Sequence, residues 1–120
     1  MNLSEMKERM KKHPDYAKAG MVLYHNGVVR GTSRDGRKVR GLRVGADWEK
    51  LREIVEKQKK HPGIVEILVE INADKDLAVG DDVMFLAVAG DVRENVIAVL
   101  TDTLNEIKST VTQKTEFFGE

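Results

Sequence analysis

The run VMFLAVAG at residues 83–90 is the feature that most constrains what this chain can fold into. None of its side chains is polar, and acidic residues flank it at Asp82 and Asp91. A strand that is apolar on both sides has to be covered on both faces, as happens in the middle of a sheet. The run therefore predicts a central strand that is buried on both of its faces.

The rest of the chain supplies further helices and strands. Apolar residues at helical spacing predict helices, and short runs rich in Val, Ile and Leu predict strands. Helices are expected over residues 5–12, 48–61 and 91–110, and strands over 20–30, 37–45 and 64–71. The tail VTQKTEFFGE shows no clear periodicity. The order α-β-β-α-β-β-α predicts one two-layer α+β domain over residues 1–120, with helices packed on a mixed or antiparallel sheet.

Positive charge is concentrated in one short segment. Residues 30–43 carry six basic side chains and one acidic one, although the whole chain has 20 basic and 20 acidic residues. Strands 20–30 and 37–45 are expected to pair as a hairpin with this segment at its turn. Such a patch attracts a phosphate ester, a nucleic acid backbone or an acidic protein. The alternative is a solvated hairpin whose charges prevent edge-to-edge pairing of sheets.

Several classes of site and location are disfavoured by what the sequence lacks. The chain has no cysteine, which excludes disulfides, thiolate metal sites and cysteine nucleophiles. Its three histidines have no metal-binding spacing, and no phosphate-binding loop motif is present, so no metal or cofactor is expected. The N-terminus is charged and no apolar run approaches the roughly 20 residues of a membrane span. We expect a soluble cytoplasmic protein.

Nucleic acid binding is disfavoured because the basic segment lacks interleaved aromatic residues.

Four basic residues are candidates for an anion site. Arg30 ends the first predicted strand, just before the basic loop. Arg93 falls in the first turn of the last helix, where the helix dipole disfavours a cation, which is suggestive of a bound anion. Lys108 ends that helix and Lys114 follows it. For each residue taken alone, an ordinary solvated position is the competing interpretation.

Two motifs resemble the catalytic, or large, subunit of molybdopterin synthase. The stretch GMVLYHNGVVRGTSRDGRKVRGL is similar to the N-terminal hairpin of that family, and LAVGDDVMFLAVAG is similar to its Gly-Asp strand. The first motif rests on Gly20, Gly27 to Arg30, Val39 and Leu42; the second rests on Leu77, Gly80, Asp81, Met84 and Leu86. The fifteen-residue separation of Arg93 and Lys108 also matches the family. The resemblance covers about residues 14–116.

The resemblance implies a fold, a reaction and a set of site residues. The fold would be α/β-hammerhead-like. The reaction would move sulfur from the C-terminal thiocarboxylate of a ubiquitin-like carrier, the small subunit, onto cyclic pyranopterin monophosphate, giving molybdopterin. Lys108 and Lys114 would be the catalytic lysines, beside other cations that help a lysine act as acid, base or transient nucleophile. Arg30 and Arg93 would hold the phosphate or the carrier terminus, and Arg37 and His25 would complete the substrate-binding set. The family also implies a homodimer.

The sequence departs from the family pattern around this expected site. Val92 stands where the family has a histidine before Arg93, and His25 replaces an aromatic residue. The tail lacks the family's Pro and Trp, and Lys114 follows Lys108 by six residues instead of seven. The alternative interpretation is therefore a non-catalytic paralogue that binds a carrier tail or a phosphorylated ligand without turnover. Both interpretations require one pocket that joins Arg30, Arg93 and the two lysines.

Overall fold

The computed structural model describes residues 1–119 and has an α+β architecture with three α-helices and six strands among those residues. The helices are α1 (Leu3–Lys11), α2 (Trp48–Lys59) and α3 (Arg93–Glu106). The strands are β1 (Met21–Val28), β2 (Val39–Ala46), β3 (Ile64–Ile71), β4 (Asp76–Ala78), β5 (Asp82–Gly90) and β6 (Thr112–Phe118). A 3₁₀ turn at Tyr16–Lys18 and a π-helical turn at Ile107–Val111 complete the order. The predicted α+β class is confirmed.

Strand β5 lies at the centre of the first sheet, as its apolar sequence predicted. It pairs antiparallel with β1 on one edge and with β3 on the other. Met6 and Met10 of α1 are fully buried in the cluster on the Phe85 side of β5. Val96 and Val99 of α3 are fully buried with Leu86 on its other side. The two helices therefore cover opposite faces of β5.

The predicted hairpin between the first two strands is wrong. Strand β1 pairs with β5 in the first sheet, whereas β2 lies in a second sheet between β4 and β6. The physical reason is that β5, which is apolar on both faces, lies in the middle of its sheet and needs a neighbouring strand on each side. Strand β1 pairs with one side of β5, although the two are far apart in sequence. Between β1 and β2, an isolated bridge joins Thr32 to Lys38. The basic loop between β1 and β2 thus forms a small local turn and is not the turn of a β1–β2 hairpin.

The C-terminal tail forms a strand that the sequence analysis did not predict. Strand β6 pairs antiparallel with β2, with Val44 opposite Lys114 and Leu42 opposite Glu116. Side chains alternate along a strand, so Thr112, Lys114 and Glu116 share one face. Phe118 is the one apolar residue on that face of β6, which otherwise carries a threonine and two charged residues. The prediction of an irregular tail failed for this reason.

One apolar cluster joins the two sheets. It contains Leu42 and Val44 of β2, Ile71 at the end of β3 and Met84 of β5. Ile107 and Val111 of the π-helical turn are buried in the same cluster. The cluster brings the ends of β1 and β5 next to β2 and β6, and this junction holds the site described below. No helix within residues 1–119 is long and apolar enough to cross a membrane.

We predict that Gly41 is required for the close packing of the second sheet. A methyl group at Gly41 would overlap the backbone carbonyl oxygen of Leu77, which belongs to β4. Gly41→Ala is therefore expected to lower the free energy of unfolding by about 1–3 kcal/mol, the usual cost of overpacking. Urea unfolding followed by circular dichroism measures this change.

Gly45→Ala is the matched control on the same strand. Its added methyl group would meet only the Gln113 carbonyl oxygen, at 4.0 Å. We expect its stability to stay within about 0.5 kcal/mol of the wild type. Equal losses of stability in the two variants would contradict this account of the packing of β4 against β2.

Candidate functional site

A cavity of about 490 Å³ opens at the junction of the two sheets. Its floor is apolar and includes Leu42, Val44, Ile71, Val83 and Met84. Its polar wall contains His25, Arg30, Arg34, Lys108, Lys114 and Glu116. Four of these side chains are cations and one is a carboxylate, so the cavity suits an anionic ligand that also has an apolar part.

The π-helical turn carries Lys108 to this cavity. The backbone N–H of Thr112 donates to the carbonyl oxygen of Ile107, five residues earlier, which is the π-helical pattern. The Thr110 hydroxyl donates to the carbonyl oxygen of Glu106 at 2.7 Å, and the Ser109 hydroxyl donates to the same oxygen at 3.3 Å. Two side-chain hydroxyls thus donate hydrogen bonds to one backbone carbonyl oxygen at the point where α3 ends and the π-helical turn begins. Such turns are frequent at functional sites.

The side chain of Glu106 ties the start of this turn to α2. Lys57 Nζ lies 2.8 and 2.7 Å from the two carboxylate oxygens of Glu106, and Gln58 Nε2 donates to Oε1 at 2.8 Å. These hydrogen bonds from Lys57, and then from Gln58, hold the pKa of the Glu106 carboxyl below its ordinary value. The carboxylate is therefore charged at neutral pH. Its contacts fix the chain to α2 at Glu106, two residues before Lys108.

Strand β6 brings Lys114 to the same cavity as Lys108. The alternation of β6 places Glu116 beside it, with Lys114 Nζ 4.0 Å from Glu116 Oε1. Among residues 1–119, Glu116 is the one carboxylate in the cavity wall. The sequence analysis did not select Glu116, because its alternation with Lys114 is informative only once the tail is known to be a strand.

Arg30 and Arg34 reach the cavity from the basic loop. The Arg30 Nε donates to the carbonyl oxygen of Thr32 at 2.7 Å, which holds the arginine against the loop. Arg34 lies at the tip of a tight turn in which the Gly36 N–H donates to the Ser33 carbonyl oxygen at 3.0 Å. Gly36 has a φ of +88°, which glycine adopts without strain. Arg34 was counted in the basic segment but was not among the predicted site residues.

The other arginines of the basic segment have partners outside the cavity. Arg37, predicted to bind substrate, pairs with Asp35 at 2.9 Å and stacks over the Phe118 ring at 3.8 Å. Arg40 donates to the Phe118 carbonyl oxygen at 3.0 Å, and Arg43 pairs with Asp76 at 3.1 Å. The structure therefore does not bring Arg37 to the cavity wall, because local partners draw its side chain elsewhere.

Arg93 is also placed away from the cavity. It begins α3, whereas Lys108 follows the end of that helix. Fifteen residues at a rise of 1.5 Å separate the two Cα atoms by about 22 Å, too far for both side chains to hold one small anion. Arg93 Nε lies 3.2 Å from Glu94 Oε1, and both side chains are largely exposed. Within one chain, the predicted pocket joins Arg30 and both lysines but not Arg93.

His25 lies on the face of β1 that is turned toward α3 and lines the cavity. Its Nε2 is buried and has no hydrogen-bond partner. Burial lowers the pKa of the His25 imidazole below its ordinary value, and the nearby Lys108 ammonium lowers it further. The imidazole is therefore neutral at neutral pH. A neutral ring next to four cations adds no further repulsion to the site.

The site residues support anion binding and proton transfer. Arginine and lysine side chains can hold phosphate or carboxylate oxygens, and the two lysines can exchange protons with a bound substrate. Within residues 1–119, no three His, Cys, Asp or Glu side chains lie close enough together to hold a metal ion. Besides anion binding and proton transfer, a deprotonated lysine can act as a nucleophile.

A sequence comparison identifies the family. The family model for the MoaE protein matches residues 1–110. The chain belongs to the MoaE protein family. The resemblance to the large subunit of molybdopterin synthase is thereby confirmed, and family membership assigns the chain to molybdenum cofactor biosynthesis. The match ends before Lys114 and Glu116, whose place in the cavity comes from the structure alone.

Solved structures share the fold at low sequence identity. Molybdopterin synthase from Staphylococcus aureus is 23% identical with a TM-score of 0.73, and the match covers 86% of this chain and 77% of that one. Molybdopterin cofactor biosynthesis protein E from Burkholderia multivorans is 18% identical with a TM-score of 0.78, over 99% and 82% of the two chains. A complex of subunits 1 and 2 of the molybdopterin-converting factor from Helicobacter pylori matches at 14% identity and a TM-score of 0.72, over 100% and 85%. No curated protein sequence matches significantly.

We predict that the Glu106 contacts with α2 contribute stability that depends on pH. The folded-state pKa of Glu106 lies below its ordinary value of 4.5, so this contribution is fully present above that value. It is lost as the pH falls through the folded-state pKa. Glu106→Gln should therefore be less stable than the wild type at neutral pH, and the difference should shrink in acid. Urea unfolding midpoints between pH 7 and pH 3 measure both effects.

Glu8→Gln is the control for this pH series. Glu8 makes only an exposed pair with Lys11 on α1, at 3.9 Å, so its replacement is expected to change stability very little. A stability difference between Glu106→Gln and the wild type that stays constant over the whole pH range would contradict the proposed role of the ion pair.

Proposed function

We propose that this protein is the sulfur-transferring large subunit of a molybdopterin synthase. In this proposal it accepts sulfur from the C-terminal thiocarboxylate of a ubiquitin-like carrier and transfers it to cyclic pyranopterin monophosphate. The observation that carries the proposal is the convergence of Lys108, Lys114 and Arg30 on one cavity. Family membership adds the pathway.

The cavity has the properties that such a substrate requires. A phosphate ester needs cationic partners, and the guanidinium groups of Arg30 and Arg34 suit its oxygens. The pterin ring needs an apolar surface, which Leu42, Val44 and Met84 provide in the cavity floor. The carrier terminus is a second anion that the same cations attract. Two anions in one cavity explain why it contains four positive side chains.

The reaction exchanges sulfur for oxygen and requires no oxidant or reductant. In each round the C–S bond of the thiocarboxylate breaks, and sulfur forms a bond to a side-chain carbon of the pterin. A C–O bond to the same pterin carbon breaks and its oxygen leaves with a proton, while water adds to the acyl carbon, so that the carrier is released as a carboxylate. Two rounds give the dithiolene. A proton has to reach the departing oxygen, which is the step in which an ammonium group acts as a general acid.

We assign this acid–base work to Lys108 and Lys114. Lys108 comes from the π-helical turn and Lys114 from β6, so the two amines approach the cavity from separate elements. As a proton donor, a lysine gives a proton to the leaving oxygen; as a free amine, it can attack the carrier's acyl carbon. His25 contributes a neutral imidazole to substrate binding.

The expected homodimer gives Arg93 a place in this proposal. Arg93 of the same chain is too far from Lys108 to share its ligand, so a contribution from this residue requires a second copy of the chain. Val92 and Ile97, both about half exposed, lie beside Arg93 at the start of α3. A homodimer that covers this apolar surface would agree with the expected dimerisation and with the expected role of Arg93 in ligand binding. In this proposal Arg37 acts outside the cavity.

We predict that Lys108→Ala abolishes sulfur transfer. Purified protein is mixed with thiocarboxylated carrier and cyclic pyranopterin monophosphate, and dithiolene formation is followed in a single turnover. Removal of a general acid or nucleophile typically lowers the rate by about 10²–10⁴-fold. Lys114→Ala is expected to lower the rate as well. Lys108→Arg keeps the positive charge but cannot give up a proton readily, so it should still bind substrate and fail to turn over.

Lys18→Ala is the matched control, because Lys18 is exposed at the end of the 3₁₀ turn Tyr16–Lys18 and lies outside the cavity wall. It should react at the wild-type rate. Wild-type protein that binds the carrier without forming product would instead identify a non-catalytic paralogue. Full activity in Lys108→Ala would contradict the assignment of this lysine.

A further inference from the structure

The tip of the basic loop is held in place by the end of the last strand. The Arg37 guanidinium stacks over the Phe118 ring with 3.8 Å between the guanidinium carbon and the ring centroid. The Gly119 N–H donates to the Lys38 carbonyl oxygen at 3.2 Å. Arg40 Nε donates to the Phe118 carbonyl oxygen at 3.0 Å. The end of β6 therefore contacts the loop through one side-chain stack and one hydrogen bond, and the hydrogen bond from Arg40 ties it to the start of β2.

Inside the loop, a second set of contacts connects Arg37 to the residues on either side of Arg34. Arg37 Nε donates to Asp35 Oδ2 at 2.9 Å. The Ser33 hydroxyl donates to Asp35 Oδ1, and the Arg37 N–H donates to the Ser33 hydroxyl oxygen at 3.1 Å. The Ser33 N–H donates to the Arg37 carbonyl oxygen at 2.9 Å. Arg34 lies between two residues that are both fixed in this network.

The charge state of Asp35 keeps this network closed at neutral pH. The hydrogen bond from the Ser33 hydroxyl, followed by those from Arg37, holds the pKa of the Asp35 carboxyl below its ordinary value. Asp35 therefore remains a carboxylate and holds Arg37. The Asp35 carboxylate contacts Arg37 and Ser33, and among residues 1–119 it forms no ion pair with Arg34. The guanidinium of Arg34 is left facing the cavity, in whose wall it lies.

We propose that Arg34 is a ligand-binding residue that recognises an oxyanion in the cavity, and that the Phe118–Arg37 stack positions it. This rests on the proposed function and adds a specificity-determining arginine to it. Arg34 contacts the ligand, whereas Phe118, Arg37 and Asp35 act through the loop. The oxyanion is either the phosphate of the pterin substrate or the terminal carboxylate of the carrier, since a guanidinium fits both.

Direct binding of simple anions tests the role of Arg34. Isothermal titration calorimetry measures the affinity of the full chain for inorganic phosphate and for a short peptide with a free Gly-Gly carboxylate. Arg34→Ala should weaken one of the two probes by about tenfold, the usual effect of losing a charge-assisted hydrogen bond. A loss for phosphate assigns Arg34 to the substrate, and a loss for the peptide assigns it to the carrier terminus. Arg43→Ala is the matched control, since Arg43 pairs with Asp76 outside the cavity, and it should bind both probes normally.

A double-mutant cycle tests the positioning role of Phe118. Phe118→Ala should lower the affinity for the same probe by several-fold, and Phe118→Tyr should restore it, because tyrosine keeps the aromatic face that Arg37 covers. Arg37→Leu removes the stack from the other side and should reproduce the loss. In the Arg34→Ala background, Phe118→Ala should have no further effect on affinity. Urea unfolding of each variant shows that the comparison is between folded proteins.

The outcomes that overturn the proposal are distinct from those that overturn the sulfur-transfer function. Equal affinity of Arg34→Ala and wild type for both probes would remove Arg34 from the site, and so would a wild-type protein that binds neither probe. Additive losses in the double mutant would show that Phe118 does not act through Arg34. Loss of anion binding in Arg34→Ala in a protein without turnover would keep this inference and remove only the proposed reaction.

Discussion

The burial of both faces of β5 determines where every other element can lie. Because this strand is apolar on both sides, α1 has to cover one face and α3 the other, and β1 and β3 have to pair with its edges. The helix that covers the second face then ends above the junction of the two sheets. The π-helical turn that follows it delivers Lys108 to the cavity and leads the chain into β6. The position of the site is in this sense a consequence of the burial of one strand.

The cavity holds four cations in one small volume, and among residues 1–119 Glu116, 4.0 Å from Lys114, is the one carboxylate that lines it. Each comes from a different local structure: Arg30 follows β1, Arg34 lies at the loop tip, Lys108 is on the π-helical turn and Lys114 is on β6. All four residues are exposed, so water and salt screen their mutual repulsion. Elsewhere in the basic segment, Asp35 and Asp76 pair with Arg37 and Arg43. Within the basic segment, the structure thereby separates arginines that are paired locally from Arg30 and Arg34, which line the cavity.

Sequence patterns predicted the elements with strong periodicity and missed those that depend on distant contacts. The central position of β5 could be predicted because a strand without polar side chains has to be buried on both of its faces. The pairing of β1 with β2 was wrong, because nothing within residues 20–45 shows that β5, about sixty residues further on, competes for the same edge. Strand β6 was missed because the face that carries threonine, lysine and glutamate has Phe118 as its one apolar residue.

The site was predicted in part for the same physical reason. Arg30, His25 and Lys108 were predicted from the family resemblance, Lys114 was predicted although its spacing departs from the family, and all four lie in one cavity. Arg34 and Arg37 cannot be told apart in a run of basic residues, because their directions are set by the turn at Ser33 and by Phe118. Arg93 has a sequence spacing to Lys108 that fits the family, yet the length of α3 separates the two residues within one chain. The sequence therefore predicted that arginine and lysine side chains line one site. Tertiary structure determines which arginines and lysines they are.

The structure of the protein with bound cyclic pyranopterin monophosphate tests the central claim most directly. The claim is that the cavity between β1, the π-helical turn and β6 binds an anionic pterin through its cations. The account predicts the phosphate within hydrogen-bond distance of Arg30 or Arg34, with Lys108 close to the pterin side chain and the ring against Met84. A pterin bound elsewhere on the molecule, with the cavity unchanged, would contradict it.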